Sequence, residues 1–441
     1  MSARQDLTRG IDAWPNRSGF KMEAMEIKRE YYLQKLVGRM HNGLVKIVTG
    51  IRRCGKSYLL FKLFKDYLLC HGVPEDHVIE AKLDLFPNKK LRNPQVFIDY
   101  VQSRLKDKGN YFVIVDEVQM MGEFESVLNY LVSLGNLDVY VSGSNSKFLS
   151  SDVITEFRGR GDEIRVHPLS FSEFMQVYDG DAAKGWLEYC TYGGLPFILS
   201  IKDPFDKVEY LRQLFDAVYL RDIKERRKIR DPGTLDSLAD VLASCIGSLI
   251  NPPRLERAFK SALGKDISVN TIENYLSSFE DAFLISKAKR YDIKGRKYIG
   301  TPYKYYFEDV GLRNVRINMS QFEQTHIMEN ILYNELRLRG YCVDVGNIQK
   351  RFRDGAGKMG ARQLEVDFIA SKGNRRAYVQ SAFSIPDEEK MIQEKRPLME
   401  IGDSFRKIIV TKDSTLPMYD EDGIMFVNLF DFLLNKEPSL L

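Results

Sequence analysis

Gly50-Ile51-Arg52-Arg53-Cys54-Gly55-Lys56-Ser57 satisfies the spacing G-x-x-x-x-G-K-[ST] at every defined position. Its flanks suit such a loop. Val45–Thr49 reads as a short buried strand leading in, and Tyr58–Phe64 carries on as an amphipathic helix. A strand, a glycine loop and a helix N-terminus in that order aim successive backbone N–H groups, and the positive end of a helix dipole, at one anion. Gly50 and Gly55 let the backbone wrap phosphates, with Cys54 between them as a small residue of the loop. Lys56 is expected to reach the β/γ oxygens and the Ser57 hydroxyl to take a Mg²⁺ coordination place. The expected cofactors are ATP and Mg²⁺.

Tyr111–Glu117 supports this from elsewhere in the chain. A continuous apolar run ending in Asp116 and Glu117 is the signature of a strand buried on both faces of a parallel sheet. At the C-terminal edge of such a sheet Asp116 can hold Mg²⁺ through water. Glu117 can then orient and polarise an attacking water, which a hydrolase needs and a simple binder does not. The bland alternative, a strand followed by a solvated acidic turn, does not account for the glycine loop upstream.

Size and composition set the frame. A chain of 441 residues suits about three domains. An apolar content of 44% supports buried cores and excludes a disordered chain. The formal charge is only +4, so any anionic partner must meet a local patch. No window approaches 18 uninterrupted apolar residues, so no membrane helix is expected. Residues 1–25 carry Arg4, Asp6, Arg9, Asp12 and Arg17 without an apolar stretch, which reads as a flexible leader rather than a secretory signal. Met22 and Met25 are alternative starts. Cys54, Cys70, Cys190, Cys245 and Cys342 are scattered and odd in number, which suits a reducing cytoplasm and gives neither a disulfide framework nor a zinc site.

Residues 26–167 alternate strands with helices. Strands are expected at Val45–Thr49, Val78–Asp84, Tyr111–Val115, Leu137–Ser142 and Glu163–Val166, giving an α/β parallel sheet with helices on both faces. Residues 168–230 turn helical and read as a lid, opened by the capping box Ser170-Phe-Ser-Glu173. Residues 231–307 form a third unit, in which helices followed by β-like runs at 283–288 and 298–307 suggest a winged helix-turn-helix. Residues 308–441 mix α and β again, with a helix near 323–339 and strands near 341–345, 363–370, 377–382, 407–411 and 423–426.

Several smaller constellations carry expectations. Ser144 and Asn145 end the 137–142 strand, where a polar side chain can sense the γ-phosphate or hold water. Arg158 and Arg160 flank Gly159 and suit an arginine finger; acting in trans, a finger requires a homo-oligomer. Seven bases against one acid lie between Lys287 and Lys304, interleaved with Tyr291, Tyr298 and Tyr303, as a phosphate-tracking wing on DNA requires. Arg221–Arg230 adds six bases against two acids. A solvated basic face accounts for either run equally well, and a protein partner remains an alternative to DNA.

In the last unit Glu365 and Asp367 share one strand face, Gln380 and Ala382 share another, and Glu329 or Glu335 can approach from the helix. Carboxylates holding Mg²⁺ beside Gln-x-Lys describe a metal-dependent nuclease. Alanine stands where that lysine belongs, so the set Glu335, Glu365, Asp367 and Gln380 reads as a degenerate site. A migrated lysine, with Lys390 as the candidate, would restore it.

Taken together these stretches resemble a prokaryotic family of AAA+-type ATPases whose C-terminal domain of unknown function is related to restriction endonucleases. The resemblance spans roughly residues 26–435. It rests on G-I-R-R-C-G-K-S at 50–57, V-D-E-V-Q at 115–119, S-G-S-N at 142–145 and R-G-R at 158–160. P-L-S-F-S-E-F at 168–174, Y-G-G-L-P at 192–196 and T-I-E-N-Y-L at 271–276 follow. Y-F-E-D-V-G-L-R-N at 306–314, E-N-I-L-Y-N-E-L at 329–336 and E-V-D-F-I-A at 365–370 complete the series. The family implies an ATPase core, a winged-helix middle and a nuclease-like end; Ala382 departs from the nuclease pattern.

Overall fold

The computed structural model describes residues 26–143, 161–227, 229, 231–264, 266–353, 359–413 and 418–434. The expected leader therefore lies outside the described residues. Two sheets organise the chain.

The front sheet comprises β1 (Val45–Thr49), β2 (Val78–Lys82), β3 (Tyr111–Asp116), β4 (Leu137–Ser142) and β5 (Gly161–Arg165), in the order β2-β3-β4-β1-β5. Every pairing is parallel. Strand alternation divides β3 cleanly: Phe112 and Ile114 enter one core, Val113 and Val115 the other. Both faces are thus covered, which is why β1, β3 and β4 are buried along their whole length. Lys46 is the polar exception on β1; its ammonium meets Asp138 on β4, and Tyr140 donates to the same carboxylate at 2.9 Å. The helix after the loop runs from Lys56 to Cys70, with π-helical turns over Leu59–Phe64.

A helical run follows, with segments Phe171–Phe174, Ala182–Tyr192, Pro204–Gln213, Leu214–Leu220, Arg221–Arg227 and Pro232–Ser244. Its first turn carries the reciprocal capping box of Ser170 and Glu173.

The rear sheet has nine strands: β6 (Leu249–Ile250), β7 (Ile285–Asp292), β8 (Lys297–Phe307), β9 (Cys342–Arg353), β10 (Met359–Lys372), β11 (Arg375–Ala382), β12 (Arg406–Thr411), β13 (Met418–Tyr419) and β14 (Ile424–Asn428). Their order is β13-β14-β12-β11-β10-β9-β7-β8-β6. The β7–β8 hairpin expected as a wing is present, but its free edge is taken: β7 pairs parallel with β9 over Arg290–Asp292 and Val345–Asn347. An open strand edge presents unpaired N–H and C=O groups, and β9 satisfies them. The sheet consequently runs straight across residues 307/308, where a domain boundary is expected from the sequence.

A buried ionic joint ties the two sheets together. The Glu308 carboxylate, just past β8, meets Arg165 at the end of β5 at 2.9 Å, the His167 ring just beyond it, and Arg337 at 3.6 Å from the Gln324–Leu338 helix. Burial opposes its ionisation, but the Arg165, His167 and Arg337 charges hold it well below the usual carboxylate range. Beside it Asp309 accepts the Gly194 N–H at 2.7 Å and the Leu312 N–H at 3.1 Å. A Cβ on Gly311 would lie 2.1 Å from the Tyr192 carbonyl, so only glycine permits this approach. The stretches at 192–196 and 306–314, far apart in the chain, are therefore one packed unit.

Candidate functional site

Because the front strands are parallel, Thr49, Asp116 and Ser142 all end at one edge, the usual place for a ligand crevice in an open α/β sheet. The loop from β1 is built by close backbone packing. A Cβ on Gly50, at φ 141, would stand 2.1 Å from the Val166 carbonyl, and Gly55 turns into the helix at φ 99. Cys54 is fully buried, its thiol pushed up by burial and donating to the Val166 carbonyl at 3.4 Å. It is part of the loop wall and is not presented for oxidation.

Lys56 is only 5% exposed and donates to the Gly50 and Ile51 carbonyls at 2.9 and 3.1 Å. These are neutral acceptors inside its own loop, so an anion entering the crevice can outcompete them. Ser57 is exposed at the mouth. On β3 the Asp116 carboxylate accepts the Ser142 hydroxyl, whose oxygen in turn accepts the Glu117 N–H at 3.2 Å. Glu117 is half-buried in a left-handed turn at φ 51, with its carboxylate against the Gln119 amide. A non-glycine residue held there is a small store of strain of the kind found at functional sites. Ser144, Asn145, Arg158 and Arg160 lie outside the described residues.

Two supports of this loop escape sequence reasoning. Arg29 is fully buried at the start of the Glu30–Val37 helix, with φ 42. Its guanidinium donates to the Cys54 carbonyl at 2.7 Å, the His167 carbonyl at 2.9 Å and both Glu173 oxygens at 3.1 Å. The fork thus joins the loop, the capping box and the residue that touches Glu308. At the loop crown Tyr219 donates to the Arg52 carbonyl at 2.8 Å and Asp222 pairs with the Arg52 guanidinium at 3.2 Å. No local pattern marks Arg29, Tyr219 or Asp222, because each acts on a partner distant in the chain.

Comparison with known proteins fits this geometry. Residues 42–175 match the AAA domain family, and residues 183–323 match a domain of unknown function. An uncharacterized protein of Haemophilus influenzae is 33% identical over 419 residues, covering 94% of this chain and all of that one. The chain belongs to its family. An uncharacterized protein of Methanocaldococcus jannaschii is 27% identical over 362 residues, 78% of this chain and 76% of that one. Among solved structures, the Aeropyrum pernix ORC2 protein with ADPNP and ADP aligns at 12% identity and a TM-score of 0.35, covering 66% of this chain and 93% of that one. In this family member the AAA domain precedes a mixed-sheet rear part. Among the described residues no helix is long and apolar enough to cross a membrane.

The rear acids assemble differently from the expected set. Glu365, Asp367 and Gln380 do come together on β10 and β11: the Asp367 N–H donates to Gln380 Oε1 at 3.4 Å and Asp367 Oδ2 accepts the Ser381 N–H at 2.8 Å. The helix contributes Glu329, not Glu335. Six residues along a helix leave two side chains about 120° apart. Glu335 accordingly pairs with Arg339 at 2.8 Å. Lys390 pairs with Glu394 on its own helix and plays no part. The cation comes from β8. Lys304, 3% exposed, meets Glu329 at 2.8 Å and Glu365 at 2.7 Å, while Tyr306 donates to Glu329 at 2.6 Å. Burial alone would lower the Lys304 pKa, but Glu329, Asp367 and Glu365 raise it above its ordinary value. Burial, joined by Glu329, pushes Asp367 well above the usual carboxylate range despite Lys304. The signal was legible in part, since a lysine two residues from Tyr306 on a strand must share its buried face.

The basic run from Lys287 to Lys304 is partly engaged by the fold. Lys287 pairs with Glu280, Arg290 donates to Asn347, Lys294 pairs with Glu400, and Lys304 is held as described. Lys289, Lys294, Arg296 and Lys297 are exposed, beside Tyr298. Of the Arg221–Arg230 run, Arg221 pairs with Glu225 and Lys224 with Asp236.

Proposed function

We propose that this protein is a Mg²⁺-dependent ATP hydrolase that works as a nucleotide-driven switch. The observation that carries the proposal is Lys56, parked on two neutral carbonyls of a glycine loop that opens at the same sheet edge as Asp116 and Glu117. The residues fit a triphosphate with its metal. Gly50 packs where a Cβ would strike the Val166 carbonyl, Gly55 turns the chain into the helix at φ 99, and Ser57 is exposed. Lys56 and the loop amides would hold the phosphates, and Ser57 with Asp116 would hold Mg²⁺, whose charge offsets that of the phosphates. Glu117 is the group that takes up a proton from water, its turn anchored by the N–H bond to Ser142. Arg29 fixes the Cys54 carbonyl, so the loop amides are aimed before any ligand arrives.

The switch reading follows from the contacts around the loop. Arg52 is latched to Tyr219 and Asp222 in the helical run, while Arg29 and His167 connect the loop to Glu308 of the rear sheet. A change in the loop therefore has a contiguous polar route to the rear part.

Isothermal titration and phosphate release test the proposal. Lys56→Ala should lose tight ATP binding, and Glu117→Gln should bind ATP normally yet turn it over about 10²- to 10⁴-fold more slowly. Unchanged turnover in Glu117→Gln removes its assigned role. Binding without any phosphate release in the wild type replaces the hydrolase with a nucleotide-binding scaffold.

A further inference from the structure

The rear cluster has the acids of a metal-dependent nuclease and a cation among them that no metal could ignore. Two of the three Lys304 ammonium donors point at carboxylate oxygens of Glu329 and Glu365. The Glu329 oxygen that accepts Lys304 also accepts Tyr306. Asp367 Oδ2 is engaged by the Ser381 N–H, and Gln380 Oε1 faces the Asp367 N–H. A divalent ion needs about six oxygens converging on one point. Here Glu329 Oε1, Glu365 Oε1 and Asp367 Oδ2 are already taken up by the Lys304 ammonium, the Tyr306 hydroxyl and the Ser381 N–H. Among the described residues no group of three or more His, Cys, Asp and Glu side chains is arranged to hold a metal ion. A Mg²⁺ brought to Glu329 and Glu365 would also lie within a few ångströms of a fixed positive charge, in a poorly solvated place. The donor set does not fit the metal that the nuclease-like arrangement implies.

We infer that Lys304 is the resident cation of this cluster, standing where a divalent ion would have to sit. This cluster therefore takes no Mg²⁺, and it is a latent metal site that the loss of one ammonium would open. Its present role is to weld the β7–β8 hairpin to the Gln324–Leu338 helix and β10. Lys304 reaches both from β8, with Tyr306 beside it on the same strand face. This inference stands on the rear geometry alone and is independent of the ATPase reading.

The test is Mn²⁺ titration of the full chain without nucleotide, in a Ser57→Ala background that silences the front metal place. Mn²⁺ electron paramagnetic resonance reports uptake, and thermal shift reports its effect on folding. The Lys304-bearing protein should show no uptake that depends on Asp367. Lys304→Met keeps the aliphatic stem and removes the charge; it should gain Mn²⁺ affinity by on the order of a hundredfold. Adding Asp367→Asn should abolish that gain. A folded Lys304→Met that takes up no Mn²⁺ overturns the inference. So does Mn²⁺ uptake by the Lys304-bearing protein that disappears in Asp367→Asn, a comparison that needs no Lys304 variant to fold. Mg²⁺-dependent plasmid cleavage by the wild type, lost in Asp367→Asn, overturns it equally.

Discussion

Lys56 and Lys304 are both almost wholly buried, yet their neighbourhoods have opposite consequences. Lys56 rests on two backbone carbonyls of its own loop. Lys304 rests on two carboxylates from a different helix and a different strand. Both lysines donate through a charged ammonium, but only Lys304 meets counter-charges, so its partners satisfy charge as well as geometry. Under the proposed function the front lysine would exchange its carbonyls for phosphate, whereas the rear one is held between two carboxylates. Burial alone does not distinguish a ligand-binding lysine from a structural one; the charge of its partners does.

The comparison breaks most visibly in stability. Lys304→Ala leaves Glu329 buried without its counter-charge and is expected to cost about 3–5 kcal/mol, read by urea unfolding. Lys56→Ala should cost less by the same measurement, about 1–3 kcal/mol, because two carbonyls lose a charged donor but no buried counter-charge is left unpaired. Equal losses in the two variants would remove the distinction. Arg29→Ala should behave like Lys304→Ala, costing about 3 kcal/mol or more, since Glu173 is then left unpaired beneath the loop. Arg29→Lys keeps the charge but not the fork, so it should recover stability in part while ATP affinity stays reduced.

The joint between the two regions offers a pH test of smaller size. Burial pushes Asp309 up to about 6, against the backbone N–H groups that would lower it. A carboxyl whose folded pKa is raised contributes its stability below its unfolded value near about 4, and loses it as pH rises through about 6. Asp309→Asn removes that slope. Its stability relative to wild type should therefore rise by about 2–3 kcal/mol between pH 4 and pH 7, measured by denaturant unfolding. A flat difference would mean that Asp309 ionises in the fold as easily as it does in the unfolded chain. The smallest effect concerns DNA. With Lys289, Lys294, Arg296 and Lys297 as the exposed bases of the hairpin, duplex binding there should show a log–log salt slope no steeper than about −4. A slope near about −6 would show that the internal contacts of Lys287, Arg290 and Lys304 open on binding.

Both sheets were legible in outline. The strands at Val45–Thr49 and Leu137–Ser142 have the bounds that their apolar runs indicate, and β3 runs one residue further, to Asp116. Parallel strands buried on both faces write continuous apolar runs into the sequence, and those are easy to delimit. The hairpin at 285–307 was equally legible, but its partner strand was not. Nothing in Arg290-Tyr291-Asp292 says that β9 will cover its edge. The rear cluster shows the same limit. Glu365 and Asp367 declared themselves by spacing, while the choice of Glu329 over Glu335 depended on how the helix is rotated against the sheet. Counting charges along 287–304 likewise overstated the patch, because the compensating acids Glu280, Glu400, Glu329 and Glu365 lie elsewhere in the chain.

By itself the sequence determined the glycine loop, the strand that ends in Asp116 just before Glu117, and the alternation that makes an α/β sheet. Each of these is a contiguous stretch whose geometry is set by neighbouring residues. Only the tertiary structure decided what braces the loop, what joins the sheets and which cation sits among the rear acids. Arg29 and Glu173 are 144 residues apart, and His167 and Glu308 are 141. Such pairings are selected when desolvated charges must find a counter-charge within reach, and that reach exists only once the chain has folded.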